Sequence, residues 1–189
     1  NAWVRERKSV TETSRAGCRG DASLAAPLPS EAMPAEPWIR PVVLEGRIVR
    51  LEPLRRDHLD GLAEVAFDPA LWQYTLARPV DTAGLEAWIG AAPDNAEAGL
   101  EVPFATIEQA TGKPVGSTRY LNIVPEHRRF EIGWTGLATS AQRTGANREA
   151  KLLQLTHAFE ALDANRVEFK TDSLNDKSRT ALLGIGATY

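Results

Sequence analysis

One cysteine, one methionine and three histidines among 189 residues leave little material for redox or metal chemistry. A lone Cys18 cannot close an internal disulfide or build a cysteine-rich zinc site, and it suits a reducing compartment, so the cytoplasm is the expected location. The Arg-Ala-Gly-Cys around it has the outline of a lipoprotein cleavage site, but the residues before it are polar and supply no apolar core. His58, His127 and His157 are far apart and away from any Cys or carboxylate group with ligand spacing, so no metal is expected. No apolar run approaches the ~20 residues that a membrane helix requires. Charge of one sign is lacking as well: 22 Lys and Arg against 25 Asp and Glu give a net charge of −3. Nucleic acid and membrane surfaces, which call for a basic field, are therefore not expected partners.

What is present is enough chain for one domain with a substantial core. Residues 1–40 carry charges, Ser, Ala and Pro27, Pro29, Pro34 and Pro37 without periodic apolar spacing, the composition of a disordered tail or a spurious leader. Folded structure is expected over 41–189, starting at Val42, where Val-Val-Leu-Glu-Gly-Arg-Ile-Val-Arg-Leu alternates around a Glu-Gly turn. The chain opens on Asn1 and stops at Tyr189 directly after Gly-Ile-Gly-Ala-Thr, so truncation at both ends is expected.

Asp57 and Asp81 each stand before a helical run, at capping positions, and Pro93 is expected to close the second. Three β-type runs follow, 102–108, 114–124 and 128–138, joined by short polar turns as in an antiparallel meander. Leu152, Leu155, Phe159 and Leu162 then recur at helical spacing and are expected to form one buried stripe. A strand at Arg166–Thr171 and a short helix opened by Asn175 and Ser178 complete an α/β order with a mixed sheet.

Between the third β-type run and the long helix stands Gln142-Arg143-Thr144-Gly145-Ala146-Asn147. A glycine-containing loop entering a helix makes an anion site, because the first turn leaves main-chain N–H groups without partners and the peptide dipoles add partial positive charge. A Walker loop would need a Lys-Ser/Thr pair after its second glycine, and a dinucleotide fingerprint would need three spaced glycines with a later acidic residue; neither is present.

Three segments in joint order, Phe-Glu-Ile-Gly-Trp-Thr-Gly-Leu-Ala, Ala-Gln-Arg-Thr-Gly-Ala-Asn-Arg-Glu-Ala-Lys-Leu-Leu and Asn-Arg-Val-Glu-Phe-Lys-Thr-Asp-Ser-Leu-Asn-Asp-Lys-Ser, carry a resemblance. From about Val42 to Tyr189 the chain resembles the GNAT acetyltransferase superfamily, and in particular its branch of ribosomal-protein N-terminal acetyltransferases, RimJ/RimL-like. The resemblance implies a GNAT-type mixed, mostly antiparallel sheet flanked by helices, here without its last strand. It implies an acyltransferase that moves acetyl from acetyl-CoA, as co-substrate and without a metal, to a primary amine. The acceptor is a protein N-terminus or a small molecule, and the protein a monomer or a homodimer; a CoA-binding module without turnover is the reading from another class.

By the same resemblance Gln142, Arg143, Thr144, Gly145, Ala146 and Asn147 hold the pyrophosphate, with Asn147 standing where Gly or Ala is usual. The strand from Ile132 to Leu137 splays from its neighbour and offers main chain to the pantetheine arm, which brings in Trp134, Thr135 and Leu137, the last as oxyanion donor. Gly136 is expected at a bulge or close approach. Asn175 contacts the arm, Ser178 protonates the departing thiolate, and Glu131 is the base, directly or through water. Trp72 and Tyr74 face the acceptor side. The plainer alternatives are a cap for Ser178, a surface carboxylate paired with Arg128 or Arg129 for Glu131, and a packed side chain for His157.

Overall fold

The computed structural model describes residues 36–74 and 79–188; Cys18, the rest of 1–35 and Tyr189 lie outside them. Among the described residues six strands form one sheet: β1 (Leu44–Glu45), β2 (Val49–Pro53), β3 (Glu101–Glu108), β4 (Pro114–Val124), β5 (Arg129–Leu137) and β6 (Arg166–Glu168). They lie side by side in chain order. Neighbours run antiparallel up to β5, and β6 joins β5 in parallel. A parallel neighbour needs a crossover, which is the long helix α4 (Ala146–Thr156).

The period-2 alternation sends residues to two different cores. On one face Val49, Leu51, Phe104, Tyr120, Phe130 and Ile132 pack with Ala146, Ala150 and Ala158. Phe104, Tyr120 and Phe130 stack edge to tilt, centroids 5.2 and 4.6 Å apart, each pair adding about 1 kcal/mol beyond its area. On the other face α1 (Leu59–Ala66), α2 (Thr82–Gly90) and α3 (Ala92–Glu97) bring Leu62, Leu85 and Ile89 against Leu54, Ala105 and Ile107. The strand β3 is buried along most of its length because both cores need it.

The meander and the final helix α5 (Asp176–Leu183) stand where the sequence places them. Asp81 caps α2 as expected, accepting the Gly84 N–H at 2.7 Å. Four expectations are corrected. Asp57 is not a cap: it lies inside a 3-10 turn at Arg56–His58, and His58 precedes α1. Pro93 does not merely close α2; it sits in the first turn of α3, where a missing N–H costs nothing. Packing begins ahead of Val42, since Ile39 is 1% exposed and Trp38 meets Phe130 edge-on, an isolated contact that leaves no periodic mark.

The fourth correction concerns α4. Leu152 and Phe159 are 62% and 51% exposed, while Ala146, Ala150, Lys151, Gln154 and Ala158 are buried; Leu155 and Leu162 are only partly covered. Small residues let the helix lie close to the sheet, so the apolar bulk expected inside is displaced outward. A π-helical turn at His157–Ala161 also shifts the phase of the later residues.

Candidate active site at the split between two strands

The parallel pairing of β5 with β6 covers only Arg129, Phe130 and Glu131, opposite Arg166, Val167 and Glu168. From Ile132 to Leu137 the outer edge of β5 has no strand beside it among the described residues. On its inner edge the register with β4 slips: Arg119 faces Gly133 and Ser117 faces Gly136, so Thr118 stands opposite both Trp134 and Thr135. This is a β-bulge. Trp134 takes φ 49°, a left-handed conformation unusual for a bulky residue, and 41% of its surface is exposed. The bulge expected at Gly136 therefore lies just before it. A Cβ on Gly136 would meet nothing, whereas one on Gly116 would run into the Gly136 carbonyl, so the close approach belongs to the partner strand.

Past the bulge the regular ladder resumes. The Ala138 N–H donates to the Val115 carbonyl at 2.7 Å, toward β4. In an extended strand the preceding residue presents its main chain to the opposite edge, which turns the Leu137 N–H and C=O toward the split. Gln142 Nε2 donates to that Leu137 carbonyl at 3.2 Å, so its side chain ties the loop to the strand end.

The loop itself turns through two left-handed residues, Arg143 at φ 63° and Gly145 at φ 95°, the latter the N-cap of α4. A side chain at Gly145 would be strained and would crowd Ile48 Cδ1. Thr144 Oγ1 donates to the Ala141 carbonyl at 2.7 Å and accepts the Ala146 N–H at 3.4 Å. Among the described residues the N–H groups of Arg143, Thr144, Gly145, Asn147 and Arg148 find no acceptor, and the Arg143 and Arg148 side chains have no ion pair. Five N–H groups without acceptors around a helix N-terminus, with two unpaired guanidinium groups nearby, suit an anion of more than one phosphate.

Glu149, one turn into α4, accepts three main-chain N–H bonds from Arg47, Ile48 and Val49 at 3.0, 2.6 and 2.8 Å. Burial pushes this carboxyl up, but the three donors outweigh it and hold it below the usual carboxylate range. The β1–β2 hairpin is thereby anchored beside the loop. No signal in the sequence marks Glu149 for this contact, which spans about a hundred residues.

Glu131 closes the narrow end of the split. It is buried rather than solvent-facing, and its partners are Asn122 Nδ2 and Lys170 Nζ, both 2.8 Å from Oε2. Arg128 instead pairs with Asp163, and Arg129 with Glu168. Lys170 is held above the ordinary lysine range by that hydrogen bond. Asn175 caps α5, its Oδ1 accepting the Ser178 N–H at 3.1 Å, so within the pair the cap is Asn175 and the half-buried Ser178 hydroxyl has no protein partner among the described residues.

The remaining candidates separate. Trp72 packs on the α1–α2 core with its indole N–H on the Ala66 carbonyl at 2.7 Å, while Tyr74 is 39% exposed. Beside Trp134 the sequence reading missed a stack: the Arg119 guanidinium lies 4.5 Å from the Trp88 ring centroid and 5.4 Å from that of Trp134, and Glu101 grips it at 2.9 and 2.7 Å. His157 is the packed side chain expected, stacked on Tyr120 and held below the usual histidine range by burial. Among the described residues no group of His, Cys, Asp and Glu is placed to hold a metal, and no helix is long and apolar enough to cross a membrane.

A family model described as an acetyltransferase (GNAT) domain matches residues 49–188. The solved structure of a GCN5-related N-acetyltransferase from Brucella melitensis is 29% identical with a TM-score of 0.71, over 80% of this chain and 69% of that one. An acetyltransferase from T. thermophilus is 35% identical with a TM-score of 0.70, over 80% and 78%. The RimL ribosomal L7/L12 α-N-protein acetyltransferase shares the fold, with a TM-score of 0.68 over 76% and 79% and 17% identity. No protein with curated annotation matches the chain.

Proposed function

Because the chain belongs to the GNAT acetyltransferase family, we propose that it moves the acetyl group of acetyl-CoA to a primary amine by direct attack in a ternary complex, the amine being the α-amino group of a protein N-terminus. One observation carries this reading: the unpaired edge of β5 from Ile132 to Leu137 is followed, after one 3-10 turn at Thr139–Ala141, by the five unpartnered N–H groups of the loop. Acetyl-CoA has the matching order of parts, an amide-bearing arm that can pair with a strand edge and a pyrophosphate that needs fixed donors.

The chemistry then distributes over named groups. The loop amides from Arg143 to Arg148 fix the pyrophosphate, which leaves the thioester at the bulge. The neutral amine attacks the thioester carbon, and the Leu137 N–H donates to the oxyanion that develops. As the carbon–sulfur bond breaks, the Ser178 hydroxyl passes a proton to the thiolate and takes one up from solvent in the same step, and Glu131 takes the surplus amine proton through water at its remaining oxygen, Oε1. A serine is a weak acid, so the half-buried position of Ser178 at the head of α5 has to supply what its acidity does not. Tyr74 is the acceptor-side residue open to a ligand, with Trp72 behind it as wall.

The loop assignment is tested by Asn147→Asp. A carboxylate in the first turn favours the helix dipole by about 0.5 kcal/mol, so the fold is expected to melt no lower. The same charge opposes a pyrophosphate, and calorimetric titration is expected to give at least a tenfold weaker affinity for acetyl-CoA. Unchanged affinity would refute the assigned loop. Transfer to free amino acids or polyamines, with none to peptide N-termini, would move the acceptor to the small-molecule class.

A further inference from the structure

Behind the bulge, on the face opposite Trp134, lies a buried amine that the proposed chemistry leaves unused. Lys151, on the inner side of α4, is 5% exposed, and its Nζ lies 2.7 Å from Thr135 Oγ1, 3.2 Å from Thr118 Oγ1 and 3.2 Å from Gln154 Oε1. Among the described residues no carboxylate pairs with it. Thr118 and Thr135 also bond each other at 2.8 Å, and Gln154 Nε2 is left without a partner in the same pocket.

Such a cluster is an expensive way to fill a core. An amine buried among neutral oxygens loses more hydration than three neutral hydrogen bonds return, and a methionine of similar length would pack the site at lower cost. What the amine reaches is informative. Thr118 and Thr135 are the residues facing each other across the register slip, and Thr135, unlike Lys151, is exposed at the open edge. From the opposite face Arg119, gripped by Glu101, lies over the Trp134 ring. The two-residue bulge, with its left-handed Trp134, is thus held from both sides of the sheet. Left-handed backbone at a bulky residue is unfavourable and persists only where neighbours impose it.

We infer that Lys151 is a positioning residue for acetyl transfer: through Thr135 it ties α4 to the β5 bulge and fixes the main chain of Trp134–Leu137 toward the split. This rests on the acetyl-transfer reading for its kinetic consequence, though not for its structural one. The same helix carries the loop donors at its N-terminus, so Lys151 sets the distance between the anion site and the oxyanion donor.

The test is a double-mutant cycle of Lys151→Met and Thr135→Val, read by steady-state kinetics and by the Trp134 Cα chemical shift. Each single variant is expected to lower kcat about tenfold with KM for acetyl-CoA within about twofold. The double variant is expected to be no slower than the slower single, because both remove one link. The Trp134 Cα shift is expected to leave its left-handed value in all three. Unchanged kcat in Lys151→Met, penalties that multiply, or an unmoved Trp134 shift would each overturn the inference. If the unaltered protein releases no thiol with any amine, the acetyl-transfer reading falls, and the Trp134 shift still decides whether Lys151 holds the bulge. Should Lys151→Met fail to fold, Thr135→Val alters an exposed side chain and carries the same expectations.

Discussion

The two faces of the sheet are built on opposite terms. Beneath α1, α2 and α3 the core is apolar, built from Leu54, Leu62, Leu85, Ile89, Ala105 and Ile107, and the Arg119–Glu101 pair lies against Trp88 of α2. Beneath α4 the aromatic core around Phe104 and Phe130 gives way, toward the bulge, to Thr118, Lys151 and Gln154, with the Tyr120 hydroxyl bonding the Gln154 carbonyl at 3.1 Å and His157 Nδ1 at 3.2 Å. Leu85 and Ile89 of the first face are fully covered and hold no group of the proposed chemistry, so that core serves stability. The second carries the split, the loop and the strained strand, and it gives up apolar burial to hold main chain in a set orientation.

That contrast predicts different responses to substitution. The largest effect on stability is expected from Leu85→Ala, which opens a cavity under α2: denaturant unfolding should lose about 3 kcal/mol, while the affinity of the folded protein for acetyl-CoA stays within about twofold. A comparable loss of affinity would mean that the two faces are not independent.

A smaller effect separates the faces by pH. Burial lowers the Lys151 ammonium from the ordinary 10.5 to about 7. Between these values the unfolded chain binds a proton that the folded chain does not, so stability is expected to rise with pH through this window and to be lost as pH falls toward 7. The expected rise is about 2 kcal/mol from pH 7 to pH 9, present in the unaltered protein and absent from Lys151→Met. His157, itself lowered by burial, acts below this window, and Tyr120, raised by burial above the ordinary phenol range, acts above it. Parallel stability curves for the two proteins would show that Lys151 is not the buried amine described.

The smallest effect concerns the hairpin anchor. Glu149→Gln leaves a side chain of the same shape with one carbonyl for three donors, and urea unfolding at pH 7 should lose about 1 kcal/mol. Because the native carboxyl is depressed, its contribution is present above the unfolded pKa and fades as pH falls through the folded one; the two proteins should converge in stability once the carboxyl is protonated in both states. A difference that persisted in acid would assign the loss to packing instead.

Much of this organisation could be read from the chain. Alternation located β3, β4 and β5, and Asp81 announced its helix. Gly145 and the residues around it marked the loop because left-handed backbone and a helix start leave a compositional trace. Three features are harder to read. Leu152 and Phe159 were expected inside because apolar spacing alone cannot tell which side of α4 meets the sheet; Ala146, Ala150 and Ala158, small residues repeating every four or eight positions, carry the close-packing signal. The bulge at Trp134 depends on the register with β4, which no single strand encodes. The Lys170 partner of Glu131 sits 39 positions away, beyond β6, and only the parallel crossover brings the two together.

Free-thiol release decides whether acetyl is transferred at the split. The protein is mixed with acetyl-CoA and a panel of peptide N-termini, amino acids and polyamines, and thiol is followed alongside the mass of each amine. At least one amine is expected to gain an acetyl group in step with thiol release. Acetyl-CoA bound tightly with no thiol released from any acceptor would contradict it and leave a CoA-binding module.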